Sequence, residues 1–168
     1  MHPSSPDVSP SSVPIRPAAD LLLALLRVYL GVVFLVAVVP KLTSGVPFAP
    51  RMTGFLENVA LTDAHGFYRA FLESVVLPNP DLFGGLVVAG EVVAGIGLVT
   101  GTATRLAGSV AALLALNYLF AKGAWFWTPS SNDAAFLVIA LVVVLGAAGR
   151  TLGVDRLMAS RYPRWPLG

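Results

Sequence analysis

The stretch from Leu82 to Arg105 constrains the fold of this chain more than any other part of the sequence. It reads as a membrane span of roughly 19 apolar or small residues, which is the length of a helix that crosses a bilayer. One carboxylate, Glu91, lies near the middle of this stretch. A charged group at that depth costs on the order of a few kcal/mol to insert, so it is expected to face protein or water and to have a partner. The partner of Glu91 is therefore the first question that the sequence raises.

The composition is that of a membrane protein. Of the 168 residues, 56% are hydrophobic and 12% are charged, whereas about a quarter are charged in an average soluble domain. The net charge of +2 is small and scattered, which argues against nucleic acid as a partner. Because the chain has no cysteine, it has no thiol of its own for catalysis or cluster binding. His2 and His65 fall in a predicted tail and a predicted loop, so no metal site is predicted.

Four apolar segments predict an all-α fold, a transmembrane four-helix bundle. The predicted spans cover about residues 21–39, 82–101, 104–121 and 132–148, within a membrane domain at 21–150. Residues 1–20 are rich in proline and serine and predict a disordered tail, in which Asp20 would cap the first span. Pro40 is predicted to end that span. Residues 151–168 predict a basic C-terminal tail.

The long connection between the first two spans carries two amphipathic pieces. Apolar residues recur at helical spacing from Phe55 to Val59 and from Phe67 to Val76, which predicts short helices on the membrane face. These helices either anchor the chain in the interface or form a lid over an opening for substrate.

The distribution of Lys and Arg predicts the orientation in the membrane. Six of these residues lie on the side that holds both termini, and four lie on the other side: Arg16, Arg105, Arg150, Arg156, Arg161 and Arg164 against Lys41, Arg51, Arg69 and Lys122. Because cytoplasmic loops carry the excess of Lys and Arg, both termini are predicted to be cytoplasmic and the long connection to be outside.

Arg27 is the predicted partner of Glu91. Counting the helical rise from the ends of the two spans places these residues within about 10 Å of each other in height. Three interpretations remain open. The two residues form a structural ion pair, or they hold a polar headgroup and relay protons, or Arg27 reaches the lipid interface while Glu91 is neutral.

Asn117 and Tyr118 are predicted to lie toward the outer end of the third span. Hydrogen bonds between helices explain them without any function; alternatively they converge with Lys41 in a polar pocket that opens to the exterior. The glycines of the second span, with Gly97 and Gly101 as a small-xxx-small pair, favour close packing over a ligand groove and permit oligomerisation.

These residues also resemble a known family. The run Arg27, Leu30, Gly31, Phe34, Lys41 and Leu42 is similar to the first-span pattern R-x-x-L-G-x-x-F, ending in K-L, of the DoxX family. The run Gly90, Glu91, Gly95, Leu98, Gly101, Thr104, Arg105 and Ala107 resembles that family's second-span pattern G-E-x-x-x-G-x-x-L-x-x-G-x-x-T-R-x-A. The likeness covers about residues 21–155 and includes Gly149, Arg150 and Asp155, whereas Asn117 and the Trp-rich segment after it depart from the pattern.

The resemblance implies a four-helix protein of the bacterial inner membrane. It implies a relationship to the DoxD-type subunit of thiosulfate:quinone oxidoreductase and to DoxX proteins that act near redox and oxidative-stress partners. Arg27, Lys41, Glu91 and Arg105 would be the family positions. Fold and family alone do not fix a function.

Three functional hypotheses follow. In the first, the chain is a membrane component of a redox system and binds a quinone-like amphipathic molecule; the ligand-binding or proton-relay candidates are Arg27, Glu91, Lys41, Asn117 and Tyr118. The redox centre would then belong to the ligand or to a partner protein, and membership in a quinone-linked oxidoreductase stays open. In the second, the chain is a scaffold or assembly subunit that docks a partner through the long connection and the glycine faces. The third, a small transporter, lacks the internal repeat and broken helix expected of one.

Overall fold

A computed structural model describes residues 16–129, 131–146, 148 and 152–161, and in this part of the chain all regular structure is helical. The α-helices are α1 (Arg16–Thr43), α2 (Phe48–Phe55), α3 (Leu61–Asp63), α4 (Gly66–Phe71), α5 (Pro80–Thr100), α6 (Thr104–Ala121), α7 (Asp133–Leu145) and α8 (Val154–Arg161). The π-helical segments Leu56–Ala60 and Leu72–Val76 continue α2 and α4. The all-α class is thereby confirmed. Gly149, Arg150 and the first 15 residues of the predicted tail lie outside the described residues.

Three of the described helices, α1, α5 and α6, are long and apolar enough to cross a membrane. The chain is an integral membrane protein. Helix α7 is strongly apolar but has 13 residues, which is about 20 Å of helix and less than the roughly 30 Å of a bilayer core. The predicted fourth span, residues 132–148, is longer than this helix and stays a prediction.

Helix α1 is longer at both ends than the predicted first span. It begins at Arg16, so Asp20 lies inside the helix and the prediction that it caps the helix was wrong. It also continues through Pro40 to Thr43, so the prediction that Pro40 ends the span was wrong as well. Proline removes one backbone N–H from the helix. So close to the C-terminus of α1 the last turn persists despite the loss of this one hydrogen bond. The added turn carries Lys41, which becomes important for the site.

The long helices contact one another in a ring. Helix α1 packs against α5 and α7, and α6 packs against the same two helices. Close approaches at glycine fix the register of the antiparallel pair α1 and α5. A Cβ atom on Gly31 would lie 2.8 Å from the backbone nitrogen of Val99, and one on Gly95 would lie 2.6 Å from the side chain of Leu35. Gly31 is therefore level with Val99, and Leu35 is level with Gly95.

A buried apolar core fills the centre of this ring. It includes Leu30, Phe34, Ala94, Leu98, Ala111 and Val143, so that α1, α5, α6 and α7 all contribute to it. Most of the buried residues of α6 are alanine or glycine. At one of them the approach is especially close, because a Cβ on Gly108 would lie 2.7 Å from Val144 of α7. Small side chains allow the close helix contacts that membrane proteins use in place of a hydrophobic driving force. Gly31, Gly95 and Gly108 thus serve packing within the chain, while oligomerisation through the glycine faces stays a prediction.

The long connection is a folded helical cap with its own core. Met52, Leu56, Leu72 and Val76 are buried together against Ala121 of α6. Both predicted amphipathic pieces are helical, and each ends in a π-helical segment. The cap also rests on α5, where a Cβ on Gly84 would lie 3.2 Å from the Cα atom of Ala49. The connection therefore has a fixed position over the N-terminal end of α5 and the C-terminal end of α6.

The C-terminal region folds back onto the opposite end of the ring. The backbone N–H of Asp155 donates to the carbonyl of Gly101 at 2.8 Å, and its carboxylate accepts from the backbone N–H groups of Ala103 and Thr104, each at 2.8 Å. Asp155 thereby caps α6, which begins there and whose first N–H groups have no partner within the helix. Residues 152–161 are thus part of the folded domain and are not simply a tail, because Asp155 is fully buried.

Candidate functional site

Glu91 is buried in α5 and is held by side chains from two other helices. It is 1% exposed, and Lys41 of α1 contacts both of its carboxylate oxygens, with 2.6 Å between Nζ and Oε2. The hydroxyl of Tyr118 on α6 donates to Oε1 at 2.7 Å. Lys41 itself is 17% exposed, so its side chain links the buried carboxylate to the surface of the protein. Three helices therefore meet at one buried ion pair.

The expected pairing of Arg27 with Glu91 was wrong, and helix register explains why. Continuing the alignment of Gly31 with Val99, Arg27 is level with Ala103. Continuing the alignment of Gly95 with Leu35, Glu91 is level with Val39. Twelve residues along α1 separate the two levels, which is about 18 Å of helix. The prediction took the ends of the two spans as level with the bilayer surfaces, but α1 runs from Arg16 to Thr43, past both ends of its predicted span, and α5 runs from Pro80 to Thr100.

Arg27 belongs to a separate cluster at the end of the ring where α8 docks. It is 2% exposed, and its Nη2 donates to the carbonyl oxygen of Leu152 at 2.6 Å. Its Nε and Nη1 atoms are buried without a hydrogen-bond partner among the described residues. Gly101 packs directly against the guanidinium and has a φ of +70°, so both the space and the backbone conformation require glycine there. Arg27 therefore ties the C-terminal region to α1.

A cavity of about 750 Å³ lies between α5, α6 and the cap. Its wall is almost entirely apolar and includes Met52, Leu56, Leu72, Val76, Phe83 and Leu114. The polar side chains on the wall include Arg51, Asn117 and Tyr118. Because Tyr118 also donates to Glu91, the cavity wall is connected to the buried ion pair. The sequence-predicted residues Lys41, Glu91, Asn117 and Tyr118 are brought to one region, and Arg27 is not.

The cavity extends to the surface between α5 and α6. Leu86 and Val93 of α5 and Leu113 of α6 line it and are also exposed, Leu113 by 67%. In an apolar helix of a membrane protein, such exposed side chains face the hydrocarbon of the bilayer. The cavity is therefore open sideways toward lipid, and the cap closes it at the end where α5 begins and α6 ends.

The cap side of the cavity was not predicted as part of the site. Arg51 lies 5.8 Å from the centre of the Phe48 ring, and Lys41 lies 5.1 Å from the same ring. Leu56, Leu72 and Val76 on the wall belong to the π-helical segments, which are frequent at functional sites. The one signal in the sequence was the helical spacing of apolar residues in the connection, which predicted membrane anchoring or a lid.

Tyr68 of α4 also lines the cavity, and burial raises its pKa to about 12. Its ring packs at 5.6 Å from Phe120 and 5.5 Å from Phe71, measured between ring centres. The phenol is therefore neutral at physiological pH, as expected for a tyrosine in apolar surroundings. The cavity holds no additional negative charge from this residue.

A second ion pair lies beside the first, nearer the surface. Lys122 contacts Asp133 at 2.7 Å between Nζ and Oδ2, and its Nζ is 5.9 Å from the centre of the Tyr118 ring. Ser131 donates to the same carboxylate oxygen at 3.1 Å. Lys122 is 49% exposed. The ring of Tyr118 thus lies close to two ion pairs, and in the second of them the carboxylate is buried while the lysine is half exposed.

The remaining family-motif positions serve different purposes. Gly31 and Gly95 allow α1 and α5 to touch, Gly101 accommodates Arg27, and Gly90 lines the cavity against Leu114. Arg105 is exposed in the first turn of α6.

His65 is packed at 4.4 Å from the Trp125 ring, and its Nε2 contacts the carbonyl of Ala124 at 3.1 Å. Among the described residues, no three His, Cys, Asp or Glu side chains are grouped so as to hold a metal ion.

Comparison with known proteins gives one match. The model of the DoxX family matches residues 22–128. No curated protein and no solved structure matches the chain. The matched range includes Lys41, Glu91 and Tyr118 together with the whole cap, and it ends before α7 and Asp155.

Proposed function

This chain belongs to the DoxX family, and we propose that it is a membrane component of a redox system that binds a quinone-like amphipathic molecule in the cavity between α5, α6 and the cap. The observation that carries this proposal is the position of Tyr118. Its side chain lines an apolar cavity and also donates to a buried, lysine-paired Glu91. A ligand headgroup at this wall would meet a polar, charge-linked group inside an otherwise apolar site.

The size and chemistry of the cavity support an amphipathic ligand. Sites for small molecules are concave, have volumes of roughly 300–1,000 Å³, and are mostly apolar with a few polar groups that fix orientation. The cavity of about 750 Å³ has this composition, with Asn117 and Tyr118 as the polar groups near α5. Its sideways opening past Val93 and Leu113 suits a molecule that is dissolved in the bilayer. An apolar tail would lie in this opening while the headgroup lies at Tyr118.

The proposal includes a membrane arrangement. We propose that α7 forms a fourth, short span, so that the helices make a transmembrane four-helix bundle. The contacts of α7 with α1 and α6 support this arrangement, and local thinning of the bilayer would accommodate its short length. Both termini would be cytoplasmic in a bacterial inner membrane, because more Lys and Arg lie on that side. The cavity and its cap would then open near the outer leaflet.

In this proposal the electrons are handled by the ligand and by a partner protein. The chain supplies binding, orientation and electrostatics, as proteins do for redox cofactors generally. Lys41 and Glu91 would set the charge near the headgroup, and Tyr118 would contact it. The existence of this partner protein is part of the same proposal.

Quinone content of the purified protein tests this function. The full-length protein, gently released from its native membrane, is expected to carry a quinone or its hydroquinone, which organic extraction and mass spectrometry detect as quinone. Leu113→Trp places a larger ring where the cavity opens toward lipid and is expected to lower the quinone content several-fold. Val36→Trp, which changes an equally exposed residue of α1 that does not line the cavity, is the matched control and is expected to leave the quinone content unchanged. Equal quinone content in the two variants, or no quinone in the native protein, would contradict the proposal.

A second candidate function is a scaffold that docks a partner protein. It is favoured by exposed aromatic side chains on the outer side, where Trp127 is 76% exposed and stacks on Trp125, and where Phe67 is also exposed. The double change Phe67→Ser with Trp127→Ser leaves the cavity wall intact. Loss of a stoichiometric partner with unchanged quinone content would support the scaffold, whereas retention of the partner would argue against docking through these side chains.

A further inference from the structure

The hydrogen bond between Tyr118 and Glu91 fixes which kind of headgroup the cavity can hold. A tyrosine hydroxyl has one proton to donate and two lone pairs that accept. In this structure the proton is donated to Oε1 of Glu91 at 2.7 Å. The hydroxyl oxygen of Tyr118 therefore remains available to a ligand as an acceptor only.

Lys41 keeps this arrangement from reversing. Its ammonium contacts both oxygens of the Glu91 carboxylate, and a carboxylate accepts hydrogen bonds without donating any. Because the carboxylate cannot donate to the Tyr118 oxygen, the tyrosine has to be the donor in the hydrogen bond between them. Turning the Tyr118 hydroxyl toward a ligand would leave Oε1 of the buried carboxylate with one donor fewer. Such a loss is costly in a site shielded from water.

We propose that the cavity selects a phenolic headgroup, such as an alkylphenol or the hydroquinone form of a tailed quinone, over the matching quinone or aryl ether. This inference rests on the proposed function and names the chemical class of its ligand. The phenolic O–H donates to the hydroxyl oxygen of Tyr118. A quinone carbonyl or an ether oxygen has no proton to donate and so meets a lone pair there.

Asn117 supplies the complementary group. Its side chain lines the cavity and has no hydrogen-bond partner among the described residues, so its amide can both donate and accept. It can therefore form a hydrogen bond with the hydroxyl of a phenolic headgroup or with the carbonyl of a quinone. Discrimination between the two states comes from Tyr118, and the apolar tail extends past Val93 and Leu113 toward lipid.

The test compares two probes that differ by one proton donor. The full-length protein in detergent micelles is titrated with 4-decylphenol and with its methyl ether, 4-decylanisole. The phenol is expected to bind roughly tenfold more tightly, because a missing hydrogen bond to a buried acceptor costs about that factor in affinity. Tyr118→Phe is expected to reduce this preference to about one, whereas Tyr29→Phe on the exposed face of α1, away from the cavity, retains it.

A second variant keeps the test decisive if Tyr118→Phe fails to fold. In Glu91→Gln the new amide can donate to the hydroxyl oxygen of Tyr118, which frees the tyrosine proton for a ligand. The preference for the phenol over the ether is then expected to fall. Equal binding of the two probes to the native protein, or tighter binding of the ether, would overturn the inference and leave the proposed function intact. Binding of neither probe would overturn both.

Discussion

Two buried charges in this protein, Glu91 and Arg27, have opposite kinds of surroundings. Glu91 is held by the side chains of Lys41 and Tyr118, and Tyr118 also lines a large cavity. Arg27 is likewise a charged residue within an apolar span, but it donates its hydrogen bond to a backbone carbonyl, that of Leu152. No side chain of the cluster around Arg27 lines the cavity. Side-chain partners can exchange protons and rearrange around a ligand, whereas a backbone partner joins two segments of the chain.

The difference shows that a buried ionisable residue in a membrane span is not by itself a binding site. The default expectation that such residues are functional fits Glu91, which borders free volume. It does not fit Arg27, which is packed against Gly101 and the region of Asp155 with little room for a ligand. The position of the cavity separates a site for a ligand from a site that stabilises the fold. The predictions below test that separation.

The largest expected effect is on stability, at the Arg27 end. Asp155→Ala removes the acceptor for the backbone N–H groups of Ala103 and Thr104 and leaves one part-buried and one buried donor without a partner. The free energy of unfolding is expected to fall by at least about 3 kcal/mol. The measurement is thermal unfolding of the purified protein in detergent. Asp81→Ala, which removes an exposed carboxylate from the first turn of α5, is the control and is expected to cost less than about 1 kcal/mol. Similar costs for the two changes would contradict the role of Asp155.

The two lysine–carboxylate pairs offer the next comparison. Lys41→Met leaves Glu91 buried without its ammonium partner, which is expected to lower the free energy of unfolding by about 3 kcal/mol. Lys122→Met breaks a pair in which the lysine is half exposed and the buried Asp133 keeps Ser131 as a donor, so the expected cost is smaller, about 1–2 kcal/mol. Chemical or thermal unfolding of both variants under one set of conditions checks the difference. Equal costs would mean that Glu91 is better solvated than its burial indicates.

Much of the fold was predictable because it depends on local hydrophobic pattern. The apolar segments gave the three membrane-crossing helices to within a few residues, and the helical spacing in the connection predicted its short helices. The predicted ends of the first helix, at Asp20 and Pro40, were wrong. At these two positions residues with a strong local preference were outweighed by the continuation of α1. Local propensity is a weak guide where an apolar helix continues through it.

The candidate site was predicted in its residues and missed in its partnerships. The carboxylate, the lysine, Asn117 and Tyr118 were all chosen from the sequence, but Glu91 was assigned to Arg27. The pairing depends on the register of α1 against α5, which Gly31 and Gly95 set through contacts between residues 60 or more positions apart. Span lengths alone carry no information about such a shift. The cavity and its wall on the cap depend on tertiary packing in the same way.

A blocked opening is expected to affect ligand binding without affecting stability. Leu113→Trp places a larger ring where the cavity opens toward lipid, and it is expected to weaken binding of 4-decylphenol by roughly tenfold, as overfilling a site typically does. Val36→Trp is the matched control, because Val36 is equally exposed on α1 and does not line the cavity. Titration of the two variants with the same probe checks the result. Unchanged affinity in Leu113→Trp would show that the ligand enters by another route.

The smallest expected effect concerns the cap and its pH dependence. Burial raises the pKa of Tyr68 to about 12 in the folded protein, from the ordinary value of about 10 that it has when unfolded. Between these values the folded state binds more protons than the unfolded state. The stability due to neutral Tyr68 is therefore fully present below pH 10 and is lost as pH rises toward 12. The comparison is between the native protein and Tyr68→Phe, so that every other titrating group contributes to both curves alike. The melting temperature of the native protein is expected to fall more steeply from pH 10 to 11.5 than that of the variant. Parallel curves would mean that Tyr68 reaches water, and the cap would then be looser than the cluster at Asp155.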